Sequence, residues 1–325
     1  MKAATCKRYG PPDVVEIVDV PTPEPKAGEV RIRVHATTVA SGDWRLRSGK
    51  VPRGFGVFIR LFFGFRGLRQ PILGTELSGV IDAVGSGVTT FNVGDPVIAF
   101  PGQKMRAHAE YCVIRADRAI IPKPDALSFA EGAALSFGGT TALFFLREKA
   151  KVAPGDRVLV IGAAGCVGSA AVQLARHFGA TVTAVCSAKN AELVRGLGAT
   201  DVIDYGTDDF AASGKQWDVI FDAIGAAPFA HARPALAPGG RFVIVAGTLP
   251  EALRTMLPRR HGHKALGGVA PERRSDLEEL AALAVQGAWR PVIDSVLPFE
   301  RIVEAHARVE SGHKRGSLVL ELHRA

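Results

Sequence analysis

The chain has 325 residues, of which 47% are hydrophobic, and this is enough for two domains with separate cores. The formal net charge is +8, but the densest basic group (RTMLPRRHGHK, Arg254–Lys264) has no aromatic residue that could stack on bases, so we expect no nucleic-acid partner. The N-terminus lacks the apolar core of a signal peptide, and no uninterrupted apolar run is long enough to cross a bilayer. These features predict a cytoplasmic protein without a membrane partner.

The cysteines and the closely spaced histidines do not predict a metal site. His261 and His263 form an HxH pair, but no acid or cysteine accompanies them, so a surface loop explains them better. A basic surface that attracts an anionic cofactor accounts for the net charge. The scattered cysteines indicate a reducing compartment rather than a disulfide framework or a zinc cluster; they are Cys6, Cys112, Cys166 and Cys186.

The first part of the chain, up to Pro122, has the composition of a β-rich domain punctuated by Gly and Pro. Val30–Val39 alternates like a half-buried strand, and shorter strands are predicted at Leu77–Val84, Pro96–Phe100 and Ala109–Ile114. Ser128–Lys149 is an apolar helical stretch.

From there on, strands alternate with helices, which predicts a parallel sheet covered on both faces. The candidate strands are Val158–Ile161, Thr181–Cys186, Asp201–Ile203, Trp217–Phe221, Gly240–Val245 and Ala265–Val269. Beyond Pro271 the sequence predicts a helix, a strand, a helix and a strand, at Arg274–Gln286, Pro291–Asp294, Phe299–Ser311 and Ser317–Leu322. The last segment is expected to return to the N-terminal domain. The predicted domains are therefore residues 1–123, completed by 271–325, and residues 124–270.

The most informative motif follows the first strand of the alternating region. Three glycines spaced three apart, Gly162, Gly165 and Gly168, lead into an amphipathic helix that Gly179 ends. Glycines in this pattern allow a tight turn, close approach of the backbone to a pyrophosphate and close packing of helix on strand. The helix N-terminus offers free N–H groups and a favourable dipole to the phosphates. The motif predicts that a dinucleotide binds here.

The end of the second strand of this unit indicates which dinucleotide. NAD-binding sites usually place an acid there, whereas a 2′-phosphate needs hydroxyls and positive charge. The chain offers Ser187 and Lys189 and no acid before Glu192, which favours NADPH. An alternative is that Ser187 only caps the helix starting at Ala188 and Lys189 is simply solvated; the two roles are compatible.

Several motifs in the same order resemble the medium-chain dehydrogenase/reductase superfamily, on its zinc-independent quinone oxidoreductase side. Besides the glycine motif they are GTELSGVIDAVGSGVTTFNVGDPV (Gly74–Val97), HAEYCVI (His108–Ile114), ELVRGLGATDVIDY (Glu192–Tyr205) and FDAIG (Phe221–Gly225). The resemblance implies an α/β fold: a GroES-like β-rich domain, a doubly wound Rossmann domain and an active-site cleft between them. We also expect a homodimer.

The resemblance also bears on zinc and on the reaction. The three ligand positions of zinc-dependent relatives correspond here to Ala40, Thr75 and Phe137, which do not form a zinc site. Zinc would stabilise charge on the oxygen of a simple ketone, whereas a quinone or an α,β-unsaturated carbonyl delocalises the charge itself. The sequence thus predicts a zinc-independent, NADPH-dependent reductase of such compounds. Alternatives are a metal-free NADP-dependent alcohol or aldehyde reductase and a cofactor-binding protein with negligible turnover.

The resemblance assigns the cofactor contacts by position. Tyr205 would pack near the adenosine phosphate, although a core-edge role explains it equally well. The predicted contacts are Thr141, Gly162, Gly165, Cys166, Val167, Gly168, Ser187, Lys189, Tyr205, Ile224, Ala246, Gly247 and Thr248.

The substrate side of the site is predicted less sharply. No general acid can be named; the candidates for lining the cleft are Asp43, Trp44, Arg47 and Tyr111, and Asp43 has the alternative role of capping a turn. The phenylalanine-rich segment Arg53–Arg69 suggests a lid with apolar walls for a flat, apolar substrate. Its alternative is an amphipathic helix that packs on its own domain.

Overall fold

The structure is a computed structural model that describes residues 1–257 and 262–322. Residues 258–261, which include His261 and part of the basic group Arg254–Lys264, lie outside the described residues. The described residues form two compact units. The first unit consists of Met1–Val51, Gly56–Phe137 and the residues from Glu272 onwards, and the second of Pro52–Phe55 and Gly138–Pro271.

Strands dominate the N-terminal part of the chain, and strands and helices alternate in the rest. The N-terminal part contains β1 (Lys2–Cys6), β2 (Val15–Asp19), β3 (Glu29–Val39), α1 (Ser41–Ser48), α2 (Gly56–Phe63), β4 (Leu77–Val84), β5 (Pro96–Ala99), β6 (Tyr111–Arg115), β7 (Ile120–Pro122) and α3 (Phe129–Leu143). The central part contains β8 (Arg157–Ile161), α4 (Cys166–His177), β9 (Thr181–Cys186), α5 (Ala191–Gly196), β10 (Asp201–Asp204), β11 (Trp217–Asp222), α6 (Phe229–Ala232), β12 (Leu236–Ile244), α7 (Leu249–Arg254) and β13 (Lys264–Leu266). The C-terminal part contains α8 (Arg274–Val285), β14 (Ile293–Pro298), α9 (Ile302–Glu310) and β15 (Ser317–Glu321).

The first unit is built around a sheet with the strand order β14-β15-β3-β4-β5-β7, to which β6 is added on β3. The long strand β3 alternates as predicted. Val30, Ile32 and Val34 are fully buried in the core, whereas Arg31 and Arg33, which alternate with them in sequence, are not buried. The C-terminal strand β15 pairs with β3 in antiparallel register, from Leu318 opposite Val39 to Glu321 opposite Ala36. This sheet therefore contains residues from both ends of the chain.

Two boundaries in the first unit differ from the sequence prediction. The strand expected at Pro291–Asp294 lies at Ile293–Pro298 instead, because it forms where it can pair with β15. The division between the units falls inside α3, after Phe137, rather than at residue 123. The first turns of α3 belong to the first unit because Ala133 and Ala134 pack against Ala36 and Val319 of that unit's sheet.

The second unit is a six-stranded sheet with the order β10-β9-β8-β11-β12-β13. All of its strand pairs are parallel, which confirms the predicted doubly wound sheet. Strand β8 is completely buried from Val158 to Val160, as expected for a strand covered on both faces. The strand order reverses between β8 and β11, and in sheets of this kind the ligand binds outside the carboxyl ends of the strands at that reversal.

One helical segment within the described residues, Phe129–Ala150, is long and apolar enough to cross a membrane by length and composition. It consists of α3 and a π-helical turn, Phe144–Ala150. In the structure 72% of its apolar window is buried inside the protein, and the core helix of a folded domain passes the same test of length and composition.

Candidate functional site

The loop between β8 and α4 requires glycine at two of its three motif positions. Gly162 has a φ of +76°, a conformation that side chains disfavour. A Cβ on Gly168 would lie 2.1 Å from the carbonyl oxygen of Gly162 and 2.9 Å from Cα of Ala163. A Cβ on Gly165, in contrast, would only approach the Gly162 oxygen at 3.4 Å. Gly168 is therefore needed for the close packing of α4 against the turn, whereas Gly165 leaves the N-terminus of α4 without a side chain at that position.

The N-terminus of α4 has the free N–H groups that an anion-binding site needs. The first turn of a helix has N–H groups without intrahelical acceptors, and here the first intrahelical bond runs from Ser169 N–H to the carbonyl of Gly165 at 2.8 Å. No side chain caps the helix and its first turn has no acid. The bare glycine backbone and the helix dipole together fit the pyrophosphate of a dinucleotide.

The remaining predicted cofactor residues lie at the same edge of the second unit's sheet. Ser187 and Lys189 follow β9, Tyr205 follows β10, Ile224 follows β11 and Ala246–Thr248 follow β12. Because these parallel strands are neighbours, their carboxyl ends and the residues after them lie side by side. Thr141, in α3, is nearly buried. Helix α3 packs closely against the start of α4 at this edge. A Cβ added at Gly138 of α3 would lie only 2.6 Å from Sγ of Cys166.

Ser187 does not act as the cap that the alternative interpretation required. It occupies the position before the short turn Ala188–Asn190, but no N–H of that turn donates to its side chain. Instead, its Oγ accepts a hydrogen bond from Nδ2 of Asn190 at 3.2 Å. This contact orients the hydroxyl at the end of β9 and leaves its hydrogen able to donate to a ligand.

The structure also places an acid near this position that the sequence analysis did not consider. Asp204 is opposite Cys186 in the register of β10 with β9. Burial raises the pKa of the Cys186 thiol, and the charge of Asp204 adds to this rise. One carboxylate oxygen of Asp204 accepts the N–H of Gly206 at 3.0 Å. Asp204 lies on β10 and not at the end of β9, where an acid usually binds the ribose hydroxyls, but it is a carboxylate close to that position.

Asp222 organises the loop that carries Ile224, and the sequence analysis missed its role although it quoted the motif FDAIG. Its carboxylate is 1% exposed. Oδ1 accepts the N–H groups of Ile224, Gly225 and Ala226 at 3.1, 2.8 and 3.2 Å, and Oδ2 accepts that of Ala227 at 2.8 Å. Burial raises the pKa of Asp222, although these four bonds oppose the rise. The sequence signal for this role was Asp222 itself, an acid at the end of a buried strand with Gly225 close behind it.

In the first unit, two carboxylates connect the three positions at which zinc-dependent relatives hold their ligands. Asp43 accepts the N–H of Ala40 at 2.7 Å and that of Gly74 at 3.0 Å. Glu76 accepts the hydroxyl of Thr38 at 2.5 Å and the N–H of Phe137 at 2.5 Å. Both acids are thus engaged by donors of the protein itself. The side chains at the three positions are a methyl, a hydroxyl and a phenyl group.

The Thr75 hydroxyl is the polar side-chain group at these three positions, and the hydrogen bonds to Asp43 and Glu76 do not involve it. Its Oγ1 is buried and has no hydrogen-bond partner within the described residues. No group of three or more His, Cys, Asp or Glu that could hold a metal ion occurs in that part of the chain either. The residue type alone marks Thr75 as a poor zinc ligand, and its role as a free hydrogen-bond donor is visible only in the structure.

The structure does not bring the four cleft candidates together. Asp43 is fully buried and bonds the turn at Ala40, which was its alternative role. Arg47 is also fully buried: it donates to the carbonyl of Gly10 at 2.5 Å and pairs with Glu310, so it is not presented to a substrate. Trp44 packs on the core of the first unit. Tyr111 pairs with Arg33 in the middle of β3, whereas α1 follows the end of that strand.

The segment Arg53–Arg69 contains helix α2, and no residue of α2 is buried. In α2, Phe63 packs against the core of the first unit, and Leu68, after the helix, is part of that core. This does not fit the alternative of a helix that buries its apolar face on its own domain. The role of the segment as a substrate lid stays a prediction.

We expect Glu76→Gln to remove a pH dependence of folding stability. Burial raises the pKa of Glu76 from 4.5 to about 7 in the folded protein. Because the folded pKa lies above the unfolded one, this contribution to stability is complete below pH 4.5 and is lost as the pH rises to about 7. The loss is about 3 kcal/mol at roughly 1.4 kcal/mol per pKa unit.

Urea unfolding at a series of pH values between acid and mildly alkaline conditions measures this effect. The Gln side chain does not titrate, and its oxygen can still accept the N–H of Phe137. The free energy of unfolding of the wild type should therefore fall relative to that of the variant over the stated pH range. Parallel curves for the two proteins would contradict the prediction.

The fold and the glycine turn define a class of protein. A β-rich unit joined to a parallel sheet, whose first strand leads through a glycine turn into a bare helix N-terminus, is the architecture of NAD(P)H-dependent oxidoreductases.

Comparisons with known proteins agree with this class. Residues 26–154 match the family model of the alcohol dehydrogenase GroES-like domain, and residues 197–320 match a model described as zinc-binding dehydrogenase. The second match contains none of the three zinc positions. A relative from Arabidopsis thaliana, the chloroplast envelope quinone oxidoreductase homolog, is 31% identical, and the alignment covers 94% of each chain.

Solved structures give the same result. The quinone oxidoreductase from Coxiella burnetii superimposes with a TM-score of 0.89 at 32% identity, over 99% of each chain. A mycobacterial protein solved in complex with NADPH superimposes with a TM-score of 0.82 at 26% identity, over 99% of this chain and 100% of the other. The chain belongs to the medium-chain dehydrogenase/reductase superfamily, on its quinone oxidoreductase-like side, which confirms the predicted resemblance.

Proposed function

We propose that the chain is an NADPH-dependent reductase of quinones or α,β-unsaturated carbonyl compounds that works without zinc. The observation that carries the proposal is the chemistry at Ala40, Thr75 and Phe137, where the methyl and phenyl groups cannot bind a metal and a lone hydroxyl is a poor zinc ligand. The two nearby carboxylates, Asp43 and Glu76, already accept two hydrogen bonds each. Acceptors that delocalise the incoming negative charge need least help from such a site.

The chain's own residues then have defined tasks. The N-terminus of α4 binds the pyrophosphate, and Ser187 with Lys189 binds the 2′-phosphate. Bound NADPH supplies the hydride. The unpartnered hydroxyl of Thr75 donates a hydrogen bond to the oxygen of the substrate and so stabilises the charge that develops there. The names of the two quinone oxidoreductase relatives, and the NADPH bound in the mycobacterial structure, support the substrate class and the cofactor.

Steady-state oxidation of NADPH with 1,2- and 1,4-quinones, enones and aldehydes tests the reaction. We expect turnover with quinones or enones, and no stoichiometric zinc by metal analysis of the purified protein. Thr75→Val keeps the shape of the side chain and removes its donor, so kcat should fall about tenfold to a hundredfold while NADPH still binds. Thr90→Val, on the same unit, is the matched control.

Other outcomes of this assay exclude the proposal. Turnover of aldehydes alone indicates a metal-free alcohol or aldehyde reductase. Tight binding of NADPH without turnover of any of these acceptors indicates a cofactor-binding protein. One zinc per chain would overturn the zinc-independent mechanism.

Cofactor preference is a separate prediction. Ser187→Asp or Lys189→Glu places a negative charge beside the 2′-phosphate or removes a positive one, and the ratio of kcat/KM for NADPH to that for NADH should fall about tenfold to a hundredfold. Lys264→Glu, which changes the net charge by the same amount as Lys189→Glu but at the amino end of β13, is the control. An unchanged ratio, or a wild type that prefers NADH, would show that Ser187 and Lys189 do not select NADPH.

We further propose that the protein is a cytoplasmic homodimer and that its substrate is small, flat and apolar. The cysteines support a reducing compartment, because Cys6, Cys112 and Cys186 are buried as free thiols. Light scattering on a sizing column measures the oligomeric state.

A further inference from the structure

Helix α2 and the residue pair that follows it expose a continuous apolar face. The exposed apolar residues of α2 follow the spacing i, i+1, i+4 and i+5, which places them on one side of the helix. Phe65 lies just beyond the end of α2 and continues this series. A surface helix of a globular protein normally turns such a face toward the core. The exposed side chains are Val57 at 73%, Phe58 at 49%, Leu61 at 51%, Phe62 at 69% and Phe65 at 60%.

Contacts on the other side of α2 hold this apolar face outward. The Tyr9 hydroxyl donates to the carbonyl of Gly64 at 2.6 Å, and the guanidinium of Arg60 lies over the Tyr9 ring at 5.7 Å. A Cβ on Gly67 would lie 1.9 Å from the carbonyl oxygen of Lys7, so the segment after the helix touches the backbone that follows β1. The apolar face is thus a fixed part of the surface of the first unit.

The charged residues within this segment have one sign. Residues 56–69 include Arg60, Arg66 and Arg69 and contain no acid. No carboxylate pairs with any of these arginines within residues 1–257 and 262–322. Exposed apolar side chains flanked by arginines without carboxylate partners are complementary to a surface that is apolar inside and anionic outside.

We propose that residues 57–69, named the α2 face, dock the protein on an anionic lipid bilayer. Leu61, Phe58, Phe62 and Phe65 enter the interface, as in amphipathic helices that lie in the membrane plane. The exposed Arg66 and Arg69 meet the lipid phosphates. The cytoplasmic leaflet of cell membranes carries the negative surface potential that this requires. Helix α2 has eight residues and is far too short to cross a bilayer, so this is surface binding.

The α2 face also narrows the substrate class, and this step rests on the proposed function. Quinones with long apolar tails reside in bilayers, so an enzyme docked there meets its acceptor at the surface. The substrate would then be a lipophilic quinone rather than a freely soluble one.

Co-sedimentation of the full chain with vesicles tests docking without cofactor or quinone. We expect binding to vesicles of equimolar phosphatidylglycerol and phosphatidylcholine, weaker binding to phosphatidylcholine alone, and loss of binding in high salt. The double variant Leu61→Ser with Phe62→Ser should lower the partition coefficient at least about tenfold. The control is Leu253→Ser with Leu257→Ser, because these leucines are 54% and 59% exposed, like the residues they match.

A second pair of variants tests the charges. Arg66→Gln with Arg69→Gln should abolish the preference for the anionic vesicles, whereas Arg118→Gln with Arg233→Gln removes the same net charge elsewhere and should leave it unchanged. Equal circular dichroism spectra and unfolding curves show that each variant is folded.

The outcomes separate docking from other occupants of the α2 face. If wild type and Leu61→Ser, Phe62→Ser sediment equally with vesicles, the proposal is wrong. If the double variant instead raises KM for a water-soluble quinone, or dissolves an oligomer in sedimentation velocity runs, the face is a substrate lid or a contact between two copies. Absence of turnover with soluble quinones leaves vesicle binding measurable, so failure of the proposed function is recognised separately.

Discussion

Gly168→Ala should unfold the cofactor turn and weaken NADPH binding about a hundredfold. The added methyl would lie 2.1 Å from the Gly162 carbonyl, and neither β8 nor α4 can give way because both are buried in the second unit. Overpacking of this kind costs about 3 kcal/mol of stability. Displacing the turn also removes two or more N–H bonds to the pyrophosphate, and a loss of about 3 kcal/mol in binding equals a factor of about a hundred. Fluorescence titration and urea unfolding measure the two effects.

Two other glycines serve as controls for this prediction. A Cβ on Gly196, in α5, meets nothing within 4 Å, so Gly196→Ala should leave binding unchanged and stabilise the helix by about 0.5–1 kcal/mol. Gly165→Ala should fold normally, because its nearest contact is at 3.4 Å, yet bind NADPH less tightly since the methyl covers the bare helix start. If Gly168→Ala binds NADPH like the wild type, the turn is not the pyrophosphate site.

Asp222→Ala should destabilise the second unit by about 3 kcal/mol and raise KM for NADPH. The variant leaves four backbone N–H groups without their acceptor in a place where the carboxylate was 1% exposed. The loop that carries Ile224 then loses its fixed position. It lies against the next loop, because a Cβ on Gly225 would be 1.9 Å from the Ala246 oxygen. The change in one loop should therefore reach both loops that carry predicted cofactor contacts, at Ile224 and at Ala246–Thr248.

The other end of the same strand provides the control. Asp218 also lies in β11, but it is at the surface and pairs with Arg157 at 3.1 Å. Asp218→Ala should cost at most about 1 kcal/mol and leave KM unchanged. Asp222→Asn should behave like Asp222→Ala, because an amide offers one oxygen for donors that now use two. Urea unfolding and initial-rate kinetics on the wild type and the three variants measure the free energy of unfolding and KM. Equal effects of Asp222→Ala and Asp218→Ala would contradict the role given to Asp222.

The second unit could be predicted from sequence because local patterns determine it. Strand β9 runs from Thr181 to Cys186 as predicted, and β8 begins one residue before the predicted Val158. Short apolar runs separated by glycine turns and amphipathic helices leave little choice of register. The glycine motif likewise predicted the tight turn between β8 and α4, because its spacing reflects contacts between neighbours in the chain.

The first unit and the substrate side depended on contacts between distant residues, and there prediction was weaker. The pairing of β1 with β2 and the short strand β7 carry no alternation that distinguishes them from loops. Arg47 looked like a polar cleft residue until its partner Glu310, far along the chain, placed it in the core. Nothing in the sequence near Thr75 indicates that its neighbour Glu76 is already bonded by Thr38 and Phe137.

The pairing of β15 with β3 has a consequence for how the chain is made. During synthesis the dinucleotide-binding sheet is complete once Leu266 has left the ribosome, but the sheet of the first unit still lacks β14 and β15 at that time. Strand β3 must therefore wait, with the edge that β15 will cover unpaired, while residues 267–321 are translated. The second unit can fold before β15 is made, whereas the first can close only after it. Slow synthesis of residues 267–321 would lengthen the exposure of that edge and with it the risk of aggregation.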